Sequence, residues 1–148
     1  MERYLKRNGL EFRQLFETCP YVFMGKHNPL ASRDRLTREE LTEYPYITYD
    51  QGEAGPVEFS EELSEYSQTK KHIRINDRAT LMNLLLSTDC YTIGTGVMTS
   101  DLNNGNVISV PLVSGDIYTV GIINRADVGL NEDAERFVKI LYETVGER

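Results

Sequence analysis

Three observations predict an α/β fold, with a mixed, mostly parallel sheet and flanking helices. Runs rich in β-formers alternate with runs whose apolar residues recur at helical spacing. The loops between them carry the breakers and turn formers Pro, Gly, Asn and Asp. No segment repeats another, so the elements belong to one layered sheet and not to a solenoid. The length, 148 residues, suits one domain with a modest core.

Taken in order, Tyr21-Val22-Phe23-Met24 reads as a strand that ends at Lys26-His27-Asn28-Pro29, because Pro29 cannot continue a ladder. Thr37 stands three residues before Glu40, a capping-box spacing that opens a short helix to about Tyr44, and Pro45 forbids its extension. Tyr46-Ile47-Thr48-Tyr49 reads as a strand running into a polar loop, Asp50 to Pro56. A helix follows from about Val57 to Tyr66, with Phe59, Leu63 and Tyr66 on one face. His72 to Ile75 alternates as a strand. Asn76 or Asp77 can then cap a helix whose buried side is Leu81, Met82, Leu85 and Leu86. Next come a strand at Tyr91-Thr92-Ile93, the loop Gly94-Thr95-Gly96, a short helix from about Val97 to Leu102 and a turn at Asn103-Asn104-Gly105. Val107 to Val113 and Ile117 to Asn124 read as strands. Asn131 caps a last helix with Ala134, Phe137, Val138, Leu141, Tyr142 and Val145 along one stripe.

Composition restricts the function classes. The chain is 40% apolar and 26% charged, an ordinary globular balance. Its net charge of -7 disfavours direct nucleic-acid binding, which needs clustered Lys and Arg. The acid is local: Glu39, Glu40, Glu43, Asp50, Glu53, Glu58, Glu61, Glu62 and Glu65 face a single base, Arg38, between Leu36 and Tyr66, in the manner of a solvated face. Cys19 and Cys90 are 71 positions apart, with no metal-ligand spacing and no disulfide framework, so reduced thiols in the cytoplasm are expected. No apolar run is long enough for a signal peptide or a membrane span.

Catalysis and metal binding find little support. His27 and His72 are the only histidines, and neither sits in a Ser or Cys motif; a Cys–His72 dyad would require the fold to bring the two together. No His or Cys cluster suggests a metal, no cofactor is expected, and Gly94-Thr95-Gly96 lacks the following Lys-Ser/Thr of a phosphate loop. Asp77-Arg78 reads as a cap or salt pair. α/β sheets bind ligands beyond the C-terminal ends of their strands. That rule nominates the loops after Phe23, after Tyr49 and after Ile93. In the second, Gly52 lets backbone N–H groups approach a ligand, and Gln51 can both donate and accept. The plain alternative is a polar connecting loop.

The order of these elements resembles the effector-binding domain of LysR-type transcriptional regulators. The resemblance rests on Asn28-Pro29-Leu30-Ala31, then Leu41-Thr42-Glu43-Tyr44-Pro45-Tyr46-Ile47, then Ile73 to Leu86 followed by Tyr91-Thr92-Ile93-Gly94, and it extends from about Phe16 to Tyr142. No one motif is diagnostic; the ordered series is. Three positions depart from the family pattern. Asn28 replaces the usual His before Pro-Leu and is expected to shape a turn. Ser87-Thr88-Asp89-Cys90 stands for a Gly-containing segment, and Thr95-Gly96 for Leu-Pro.

The resemblance implies one lobe of a type 2 periplasmic-binding-protein-like domain. Residues 16–125 would form the second lobe with its crossover strands, and 126–148 the C-terminal helix that normally packs on a first lobe with no counterpart here. That helix is then expected to pack on its own lobe or on a second copy. The family's function implies a sensor, not an enzyme: a small metabolite bound in an interlobe cleft, with DNA contacted only through a helix-turn-helix domain outside this chain, and self-association. Asp50, Gln51 and Gly52 would line the cleft, Thr95 would form a second wall, and Thr18 would sit at the hinge. Asp50 and Glu53 disfavour an anionic effector and favour a neutral or amine-bearing one. The alternative is a solute-binding protein of the same fold serving a transporter; an enzyme such as prephenate dehydratase lacks its Thr-Arg-Phe motif here.

Overall fold

A computed structural model of the chain describes residues 2–50, 71–98 and 104–146. Its packing divides into two compact units: Cys19–Ile117, and a smaller one built from Met1–Thr18 with Tyr118–Arg148.

The larger unit holds a five-stranded sheet. β2 (Tyr21–Gly25), β3 (Tyr46–Tyr49), β4 (His72–Ile75), β5 (Tyr91–Gly94) and β6 (Val107–Pro111) lie in the order β4-β3-β5-β2-β6. β3 is parallel to β4 and to β5, whereas β2 is antiparallel to both β5 and β6. Every strand but β2 therefore runs one way, and the sheet is mixed as the alternation of elements predicts. The reversal of β2 corrects one expectation. The loop after Phe23 leaves from the end of the sheet opposite to the loops after Tyr49 and Ile93.

Side chains alternate across these strands and fill two faces. On one, Phe23, Ile47, Ile75, Cys90 and Val107 pack with Leu81 and Leu85 of α3 (Arg78–Ser87). On the other, Val22, Met24, Tyr46 and Tyr91 are buried, and the Tyr46 ring stacks between Tyr91 at 5.2 Å and His72 at 5.8 Å. Leu86 was expected inside and is 42% exposed. The α3 seam is the Leu81–Leu85 pair one turn apart, and the next residue is carried about 100° round the helix, out of the core.

The local signals act as read at several elements. α2 (Arg38–Leu41) opens with the capping box: the Thr37 N–H donates to the Glu40 carboxylate at 2.9 Å. The Thr37 hydroxyl also bonds Glu39, whose pKa is lowered chiefly by its own backbone hydrogen bond, then by Thr37 and the Arg38 charge. The helix closes at Leu41 and turns carry the chain to Tyr44, shorter than the helix expected. Of the two possible caps of α3, Asp77 is the one used, its carboxylate accepting the Thr80 N–H at 2.8 Å. β6 ends at Pro111, short of Val113, because Pro has no N–H to extend the ladder; Leu112 and Val113 donate instead to the Pro20 and Leu36 carbonyls. Val97 and Met98 are not helical. The rest of that expected helix, and the one over Val57 to Tyr66, lie outside the described residues.

The smaller unit is an antiparallel ribbon of β1 (Leu10–Thr18) and β7 (Tyr118–Arg125), with α1 (Glu2–Arg7) and α4 (Glu132–Gly146). The register shifts between Gln14 and Phe16. Gly121 sits opposite, where an added Cβ would lie 2.4 Å from the Arg13 carbonyl oxygen and the Phe12 ring. Only a residue without a side chain admits that approach. Asn131 caps α4 by accepting the Ala134 N–H at 2.9 Å. Val138 is buried, with Ala134, Leu141 and Val145 half-buried around it, and the Tyr142 hydroxyl donates to the Gln14 carbonyl at 2.8 Å. Phe137, expected on the same stripe, is 60% exposed. The seam follows positions 134, 138, 141 and 145, and Phe137 flanks it.

Candidate ligand site at the C-terminal end of the sheet

Parallel pairing sets Tyr46 opposite Tyr91. Three positions further along each strand, Tyr49 and Gly94 end β3 and β5 level with one another, and Asp50 and Thr95 follow them at the same end of the sheet. The Asp50 N–H donates to the Ile75 carbonyl at 2.6 Å, which ties the exit of β3 to the exit of β4 and leaves the Asp50 side chain exposed.

The loop after β5 is shaped by two aromatic rings. Gly94 accommodates the Phe23 ring, 2.9 Å from where a Cβ would stand. Gly96 has φ +77° and carries the Tyr21 ring 2.6 Å from the same point, so both backbone conformation and space call for glycine there. Thr95, between them, is half-buried and accepts the Val97 N–H through Oγ1 at 3.4 Å, a short turn that fixes its hydroxyl.

α3 begins where β4 ends, so its first turn stands at this same end. Asp77 takes up the Thr80 N–H there, and its pKa is lowered by its bonds with the Thr80 side chain and then the Thr80 backbone. Arg78 is not its salt partner: the guanidinium carbon lies 5.9 Å from the centroid of the Tyr49 ring. In sequence, Asp77-Arg78 reads only as structure. A cation on the first residue of a helix that follows a sheet strand is the signal that would have nominated Arg78.

The expected site residues therefore separate. Asp50 and Thr95 come together. Thr18 ends β1 in the smaller unit, where it pairs with Tyr118. Gln51, Gly52 and Glu53 lie outside the described residues. This end carries a carboxylate, a hydroxyl and a guanidinium beside the Tyr49 ring, groups that can hydrogen-bond and pair with charge. His72 is engaged by Thr48, with 2.6 Å between Nε2 and Oγ1, and Cys90 is buried. Among the described residues no cluster of His, Cys, Asp or Glu is arranged to hold a metal, and no helix is long and apolar enough to cross a membrane.

Several solved structures share this fold. HinK, a LysR family transcriptional regulator from Pseudomonas aeruginosa, aligns with TM-score 0.62 at 15% identity over 94% of this chain and 49% of its own. The effector binding domain of QuiR in complex with shikimate aligns with TM-score 0.62 at 17% identity, over 95% and 66%. The regulatory domain of MetR from N. meningitidis gives 0.60 at 18% identity, over 92% and 64%. At such identities the likeness is one of fold, and the chain spans about half to two thirds of these structures. No curated protein matches by sequence. The family model for the LysR substrate binding domain matches residues 1–146, and the chain belongs to that family.

Proposed function

We propose that this chain is the effector-sensing part of a bacterial LysR-type transcriptional regulator, and that a small polar metabolite binds where β3 and β5 end. The observation that carries the reading is the level placement of Asp50 and Thr95 at the C-terminal end of parallel strands, in a chain of the LysR substrate-binding family. Thr95 donates or accepts through a hydroxyl held by its own loop, Asp50 takes an amine or hydroxyl donor, and Arg78 engages an electron-rich oxygen. The shikimate complex of QuiR supports a small-molecule ligand of this general kind. The charge pattern favours a neutral or zwitterionic effector over a plain anion. Gln51 and Gly52, which follow Asp50 in sequence, belong to the same proposed contact. No catalytic role is assigned to the chain.

In the whole regulator, residues 16–125 serve as the second lobe with its crossover strands, and 126–148 as the helix that covers a first lobe. A helix-turn-helix domain elsewhere in the protein grips DNA in the cytoplasm, and self-association couples the subunits. The effector acts by binding one arrangement of the lobes more tightly than the other, since only differential affinity shifts a conformational equilibrium. The family match favours this reading over a solute-binding protein serving a transporter. Melting the intact regulator against amino acids, small carboxylates and sugars tests it. A ligand at 100 times its Kd adds about 2.7 kcal/mol to stability, so one chemical class raises Tm by several degrees. A flat response across all three classes contradicts the proposal.

A further inference from the structure

At the opposite end of the five-stranded sheet, where β2 exits and β5 and β6 begin, lies an open recess of about 520 Å³ lined by Lys26, His27, Leu86 and Asn106. Its walls are built from three fixed pieces. The Lys26 N–H donates to the Asn106 carbonyl at 2.8 Å, clamping the exit of β2 to the entrance of β6. Asn104 and Gly105, with φ 50° and 69°, form the left-handed turn that delivers Asn106. The His27 ring folds over Gly25, whose Cβ would stand 2.5 Å from it, and Nε2 donates to the Thr88 carbonyl at 3.0 Å.

The chemistry of these walls is specific. Among the described residues no carboxylate pairs with the Lys26 ammonium, in a chain whose net charge is -7. The Asn106 side-chain amide makes no hydrogen bond among the described residues and is free to donate. Leu86, turned out of the α3 core, supplies an apolar wall beside them. The Asp89 carboxylate stands 3.9 Å from His27 Nε2 but is not among the lining residues; the lining itself, one cation, one amide donor and one aliphatic surface, matches a singly charged anion with a short apolar body.

We propose that this recess is a second ligand site, for a small organic monocarboxylate, separate from the sensing end at Asp50 and Thr95. The carboxylate meets the Lys26 ammonium and the Asn106 amide, while the hydrocarbon part lies on Leu86 and the His27 ring. The site stands on its own residues and does not depend on the sensing function.

Titration of the 15N-labelled chain with benzoate, butyrate, acetate, inorganic phosphate and chloride at matched ionic strength tests it. Benzoate and butyrate shift the Lys26, His27, Leu86 and Asn106 amides saturably, with Kd on the order of 1–10 mM, several-fold tighter than acetate or phosphate. Lys26→Met weakens that binding tenfold or more and leaves the melting temperature unchanged, as expected for an exposed side chain; Asn106→Ala weakens it by a smaller factor. Four results would each overturn the proposal: shifts no larger than with chloride, equal affinity for phosphate, binding indifferent to Lys26→Met, or saturable shifts only at Asp50 and Thr95.

Discussion

Asn28 shows how much one polar side chain can organise. It is 3% exposed, its amide donates to the Asp89 carbonyl at 2.9 Å, and its oxygen accepts the Leu30 N–H at 2.9 Å. It thus closes its own turn and staples that turn to the loop between α3 and β5. Asn28 departs from the family's usual His and was expected to shape a turn; the second bond, to a residue 61 positions away, was not legible because only tertiary contact creates it. Asn28→Ala leaves buried partners unsatisfied and is expected to cost about 1–3 kcal/mol in denaturant unfolding. Asp77 gives a sharper signature of a cap. Its folded pKa lies below the ordinary aspartate value, so the stability it contributes is fully present above that value and is lost as pH falls through the lowered one. A 13C titration of its carboxyl will place the midpoint below that of an aspartate in an unfolded peptide, and Thr80→Ala will move it back up. A midpoint at the unfolded value contradicts the cap.

At the scale of elements, short strands and caps were readable because their signals are local. The capping box at Thr37, the breaker at Pro45 and the alternation of His72 to Ile75 each act within a few residues, whereas Pro111 stands inside a run that reads as a strand to Val113. α1 does not read as an element, and β1 reads only as a crossover strand near Thr18, without its bounds. β1 has a half-buried ribbon pattern broken by a shifted register, and its partner β7 lies more than a hundred residues away. The α3 seam was read one residue too wide, because a run of three leucines, Leu84 to Leu86, does not reveal which of them faces the sheet. The contrast is measurable: Leu85→Ala, at 1% exposure, is expected to cost about 2–5 kcal/mol, and Leu86→Ala less than about 1 kcal/mol. Equal costs would mean that the helix is rotated from the orientation described.

At the scale of the whole molecule, the proposed ligand end is read from topology. The rule that α/β sheets bind at the C-terminal ends of their strands nominated Asp50 and Thr95, which follow β3 and β5 at one end of the sheet, whereas the loop after Phe23 leaves from the other end because strand direction is not written in a run of apolar residues. Arg78 escaped notice for a related reason: its nearness to the Tyr49 ring exists only once β3 and α3 are packed. In the smaller unit α4 exposes the apolar side chains Phe137, Ile140 and Tyr142. The central claim is that a metabolite is sensed where β3 and β5 end. Its most direct test is amide mapping of the intact, 15N-labelled regulator with whichever compound raises its melting temperature. The account predicts saturable shifts at Asp50 and Thr95, abolished by Thr95→Val; a stabilising compound whose shifts leave both residues untouched would contradict it.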